Sequence, residues 1–204
     1  MFDWMLTEKH AISILKKDHD TVKDLFERFE QAESATEKEK IIGKAVEELK
    51  IHAVIEEELF YPAVRKRVAA DIMNEADEEH HVARVLIAEL DSIRRGNDHR
   101  DAKFTVLAES VRHHIEEEEN EMLPKAKELD IDFEALGEQM LERKKDLKEN
   151  GIPKDAEHAM VGRVNGKGDS PAAAARKTAS RTRKTKTGAA RTRTARGESS
   201  HAAH

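Results

Sequence analysis

Four stretches of this chain repeat apolar residues at spacings of three and four, and in each a histidine sits on the apolar stripe. The stripes are Ile12, Leu15, His19, Val22, Phe26 and Phe29; Ile42, Ala45, Leu49, His52, Glu56 and Leu59; Met73, Ala76, His80, Ala83, Ile87 and Leu90; and Phe104, Leu107, Val111, His114, Glu118 and Met122. Such spacing makes amphipathic helices that bury one face. Four of them, each about twenty to thirty residues long on short connections, predict an all-α, up-and-down four-helix bundle. A capping box, Thr36 with Glu39, is expected to open the second helix, and the third should close before Gly96. A short fifth helix is expected around Phe133, Leu136, Met140 and Leu147, capped by Asp132.

The polar members of the stripes constrain the chain further. A bundle normally fills these positions with Leu or Ile, and a carboxylate buried there without a partner is strongly disfavoured. Six such groups, His19, His52, Glu56, His80, His114 and Glu118, need a common partner. A metal centre provides one, because neutral imidazoles and ionised carboxylates then become ligands. His52 and Glu56, like His114 and Glu118, stand four apart, so each pair projects from one helix face. Four nitrogens and two carboxylates exceed the needs of one tetrahedral zinc. They suit two metal ions bridged by the carboxylates, with iron or manganese favoured over copper or zinc.

An internal repeat supports this arrangement. His19 precedes His52 by 33 residues and His80 precedes His114 by 34. Pro62 and Pro124 each fall ten residues after the paired histidine, where each is expected to kink or end its helix. A duplicated two-helix unit related by a pseudo-dyad would bring both His-x-x-x-Glu pairs to one centre.

Taken together, Leu15-Lys-Lys-Asp-His19, His52-x-x-x-Glu56 running to Pro62, Glu79-His80, and His114-x-x-x-Glu118 running to Pro124 resemble the hemerythrin-like, HHE-type cation-binding domains over residues 8–150. The resemblance implies two iron ions, Fe2+ or Fe3+, bridged by Glu56, Glu118 and an oxo, hydroxo or water ligand. Oxygen-carrying hemerythrins place a second histidine four residues on in the third helix, where this chain has Arg84 after His80 and Val85 after His81. That difference favours redox chemistry on a small oxidant such as hydrogen peroxide over reversible oxygen carriage. The alternative is a module that binds or senses dioxygen, nitric oxide or iron without turnover.

Several neighbours compete with the six. His81 rivals His80, and His113 rivals His114, although the stripe register favours His80 and His114. Glu57 and Glu117 rival or supplement Glu56 and Glu118 as ligands, but are expected to be a solvated flank or to orient the imidazoles. Tyr61 and Trp4 are expected to pack the bundle ends, while His10 and His99 should face solvent. A ferritin-like site needs Glu-x-x-His on two helices, and only Glu78 to His81 offers that spacing.

Charge divides the chain. From Lys167 to His204 there are ten Lys and Arg against Asp169 and Glu198, a net of +8 within a chain whose total is -6. The remainder is therefore at -14. Residues 151–169, with Gly151, Pro153, Gly162 and Gly166, are expected to form a linker. Residues 170–204, built from Ala, Thr, Arg, Lys, Ser and Gly, are expected to be a disordered basic tail suited to non-specific DNA contact. His158, His201 and His204 fall beyond the bundle. The chain has no cysteine, which excludes disulfides and thiolate ligands, and no apolar run of membrane-spanning length. The expected location is the cytoplasm, with nucleoid association through the tail.

Overall fold

The computed structural model describes residues 6–152, so the expectations for Trp4, most of the linker and the basic tail lie outside the described residues. The described chain is all helical: α1 (Ala11–Gln31), α2 (Ala35–Ile55), a π-helical turn (Glu56–Phe60), α3 (Tyr61–Val64), α4 (Ala70–Ser92), α5 (Asp98–Glu117), a second π-helical turn (Glu118–Met122), α6 (Leu123–Lys127) and α7 (Phe133–Asn150). The hairpin α1–α2 packs on the hairpin α4–α5 as an up-and-down bundle, and α7 lies across α1 and α2.

Local chemistry sets the helix ends. The second helix opens on Ser34, whose hydroxyl accepts from the Glu37 N–H, so the expected Thr36 box lies inside the first turn. His10 does not face solvent. Its Nδ1 accepts from the Ile12 N–H and caps α1, and its ring stacks on Phe133 with centroids 5.1 Å apart. Asp132 caps α7 as expected, accepting from Ala135. Gly96 adopts φ 78° in the turn after α4, a conformation that suits glycine.

Neither proline ends its helix outright. In both repeats the backbone widens into a π turn beginning at the paired glutamate. The Tyr61 N–H bonds to the Glu56 carbonyl and the Leu123 N–H to the Glu118 carbonyl, each five residues back. Pro62 and Pro124 then fall at the next helical start, where a missing N–H is tolerated. Such π turns recur at functional sites because they reset the direction of the side chains they carry.

The apolar core is divided. One cluster, including Leu15, Ile55, Phe60, Met73 and Met140, fills the end covered by α3, α6 and α7. The other, including Val22, Phe26, Ile42, Leu90 and Phe104, fills the opposite end. Phe104 packs edge-on against Phe26 and Phe29, with centroids 5.7 and 4.6 Å away. Along each of the four apolar stripes the polar residues fall where one cluster gives way to the other, so a polar layer cuts the bundle in two. Gly137 lets α7 approach the Lys9 carbonyl, which any side chain there would strike. That approach carries Lys144 to Asp18 beside the polar layer.

Candidate metal centre

All six stripe residues meet in the polar layer, and all are buried: His19 is 0% exposed, Glu56 0% and Glu118 1%. Their ligating atoms form two overlapping groups. His19, His52, Glu56 and Glu118 make one; Glu56, His80 and His114 make the other. His52 Nε2 lies 3.0 Å from Glu56 Oε2, and His80 Nε2 lies 3.3 Å from the same oxygen. His19 Nε2 is 3.3 Å and His114 Nε2 3.7 Å from Glu118 Oε2. Each carboxylate thus stands between a histidine of one hairpin and a histidine of the other.

Short as these approaches are, several lack hydrogen-bond alignment. His19 Nε2, both nitrogens of His52, both oxygens of Glu56 and Glu118 Oε2 are buried without a hydrogen-bond partner among the described residues. Buried polar atoms left in this state are rare, because each forfeits its hydration. Except for His52 Nδ1, which faces Asp18, they belong to side chains that converge on shared space, the arrangement of a ligand set around cations.

A second ring of carboxylates holds the imidazoles from behind. Glu119 lies 3.0 Å from His19 Nδ1, Glu57 3.0 Å from His80 Nδ1 and Glu79 2.7 Å from His114 Nδ1, while Asp18 is 3.7 Å from His52 Nδ1. A carboxylate on Nδ1 fixes the ring and turns Nε2 toward a metal. Three of the four are backed by a cation: Lys23 on Glu119, Arg84 on Glu57 and Lys144 on Asp18. The pattern obeys the repeat. Asp18 and Glu79 each precede a single histidine, whereas Glu57 and Glu119 each follow a paired glutamate. Lys23 and Arg84 each stand four residues after that histidine, so Arg84 holds the outer carboxylate from the position where oxygen-carrying hemerythrins have a second histidine.

Of the two roles expected for Glu117, the structure gives the flank: it pairs with His113, which is exposed, at 3.3 Å. The π turn rotates Glu119 inward instead. Tyr61 packs in the apolar cluster under α3, α6 and α7, and its hydroxyl also reaches the polar layer, which the periodicity does not show. It is 1% exposed, its hydroxyl donates to Glu118 Oε1 at 2.9 Å, and it lies 3.2 Å from His80 Nε2. Its presence one residue past the π turn was visible in the sequence, but its direction depends on the extra residue in that turn. His80 and His114 join the centre, while His81 is only partly buried and outside both groups.

Electrostatics without metal show how tightly the set is coupled. Burial opposes a charge on His52, yet Glu56 and Asp18 raise its pKa to about 10. Burial likewise opposes charge on His80, and Glu56 and Glu57 raise it to about 9. Burial and the Glu118 and Glu56 charges push the Tyr61 phenol well above its ordinary value, so it keeps its proton. The His19 hydrogen bond brings Glu119 down to about 2, against its burial.

Beside the centre lies a cavity of about 300 Å³ between α2 and α4. Its inner end is formed by the four imidazoles and its walls by Val22, Leu49, Ile87 and Val111. Lys50 donates to Asp91 at 2.8 Å across its outer edge.

A family model, the hemerythrin HHE cation-binding domain, matches residues 10–126. The chain belongs to that family. A crystal structure of a hemerythrin HHE cation-binding domain-containing protein from Mycobacterium kansasii shares this HHE fold, with a TM-score of 0.59 and 25% identity. The match covers 74% of this chain and 98% of that one. No curated protein matches the sequence. The HHE assignment and the buried His and Glu groups together make this chain a cation-binding helical module.

Proposed function

We propose that the HHE centre holds a pair of iron ions and reacts with a small oxidant, hydrogen peroxide first, in a catalase-like dismutation. The carrying observation is the convergence of unpartnered Nε2 and carboxylate atoms on shared space. A nitrogen- and oxygen-rich set without thiolate suits iron, and manganese fits the same ligands. His19 and His52 would hold one ion, His80 and His114 the other, with Glu56 and Glu118 between them. Bound iron supplies the electron transfer by which two hydrogen peroxide molecules become two waters and one dioxygen.

The chain's own part is orientation and proton handling. Glu57, Glu79 and Glu119 hold three imidazole Nδ1 atoms, and the Asp18 charge faces the fourth at 3.7 Å, which keeps Nε2 directed inward. Tyr61 holds a proton on its hydroxyl at the inner wall, against Glu118 Oε1. That hydroxyl can donate to an oxygen leaving as water. Tyr61→Phe should therefore lower peroxide turnover by roughly 100-fold while metal content stays at the parent level. Stopped-flow oxygen release with parallel metal analysis checks this, and an unchanged rate removes Tyr61 from the reaction. In the parent, stoichiometric ligand binding without oxygen release would replace catalysis with a binding or sensing role.

The sequence of the tail supports an added role on nucleic acid within the cytoplasm or nucleoid. Ten Lys and Arg between Lys167 and Arg196 would contact phosphates without reading bases. DNA affinity should then fall by roughly 10³-fold or more between 50 and 200 mM salt. It should vanish on truncation after Gly166, as measured by fluorescence anisotropy. Binding that survives truncation would transfer the role to the acidic domain and end this proposal.

A further inference from the structure

The cavity beside the centre, whose inner end the metal ions would share, is larger than the proposed peroxide chemistry requires. Its volume is about 300 Å³. An engineered apolar cavity of ~150 Å³ suffices for benzene, and a single water needs only ~10–15 Å³ of such space. The walls, Val22, Leu49, Ile87 and Val111, offer no hydrogen bonds from their side chains, so they favour an apolar body over water or hydrogen peroxide. Polarity lies at the two ends and on one side: the four imidazoles within, Lys50 with Asp91 at the mouth, and Arg84 on the wall.

Arg84 shows what kind of head the ligand should carry. It is 6% exposed, its Nη1 donates to Glu57, and its Nε is buried with no acceptor among the described residues. Glu57 already offsets the guanidinium charge, which leaves a donor on the wall for a neutral oxygen rather than a free cation for a carboxylate. The outer edge is closed by the Lys50–Asp91 pair, both side chains of which reach solvent, and by the exposed Ala88. Such an exposed pair contributes little stability and can open for entry.

We infer that this cavity binds a compact, neutral organic molecule, about one substituted benzene ring in size, whose oxygen head lies at Arg84. The site rests on the cavity and Arg84 rather than on the identity of the metal. It adds an organic ligand to a centre otherwise assigned to small inorganic oxidants.

The test is calorimetric titration of the full-length, metal-loaded protein with 2-phenyl-2-propanol, with benzene and benzoate as comparison probes. The expected result is saturable binding of one alcohol per chain, with benzene and benzoate each weaker. Ala83→Phe fills the cavity and should weaken the alcohol by at least about tenfold. Ala88→Trp, at the exposed edge where folding is not at stake, should weaken it in the same direction. No saturable binding by the parent, or parent affinity in both variants, overturns the site. Benzene equal to the alcohol, or benzoate tighter than it, overturns the assigned head group. Hydrogen peroxide consumption measured on the same samples reports separately on the iron reading: loss of that activity with alcohol binding intact leaves this inference standing.

Discussion

Glu56→Ala should strip the chain of both metal ions, whereas His114→Ala should leave one. Glu56 is the residue common to both ligand groups, and its Oε2 lies within 3.3 Å of a histidine from each hairpin. Its removal deprives both ions at once. His114 belongs to one group alone, so His19, His52, Glu56 and Glu118 remain to hold the other ion. Peroxide turnover should fall to background in both variants, since a single ion cannot exchange two electrons in the proposed manner. Glu79→Gln should be milder. It leaves the His114 ring in place but weakens the carboxylate behind it, at a cost of about 10–100-fold in metal affinity. Metal content after exhaustive dialysis ranks the three variants. Equal stoichiometry in Glu56→Ala and His114→Ala would show that Glu56 does not serve both sites.

Removing the metal should lower the melting temperature by about 10 °C. A ligand present at ~1,000 times its Kd stabilises the folded state by ~4 kcal/mol, and in a domain of this size each kcal/mol shifts the midpoint by about 2–4 °C. The metal-free bundle should remain folded, because protons partly replace the cations. Burial pushes the Glu56 carboxyl up, but His52 and His80 outweigh it and hold the group well below its ordinary range. The two apolar clusters on either side of the polar layer remain intact as well. Circular dichroism melts before and after chelation, with iron added back, measure the difference. Identical midpoints would mean that the six groups need no cation.

Much of this arrangement was legible in the sequence because helical periodicity and burial report the same thing. His19 falls between Leu15 and Val22 on one stripe, and in the folded chain it falls between one apolar cluster and the other. The six polar stripe residues were readable for that reason: each occupied a place that only a core residue should fill. What escaped the periodicity was whatever the π turns displaced. Counting at 3.6 residues per turn puts Glu117 on the inner flank and Tyr61 toward the bundle end. One extra residue in each turn instead brings Glu119 to His19 and the Tyr61 hydroxyl to Glu118. The outer carboxylates could have been found by a different signal. An acid lies directly before each single histidine and directly after each paired glutamate, and the repeat shows it twice. The Ser34 cap was missed because Thr36 and Glu39 offered an equally good box two residues later.

The central claim is that six buried side chains hold two iron ions as one pair. Metal analysis together with iron X-ray absorption on the freshly purified full-length protein tests it most directly. The account predicts two irons per chain, nitrogen and oxygen neighbours without sulfur, and a scattering shell from a second iron. One metal per chain, or two irons without that shell, would contradict it.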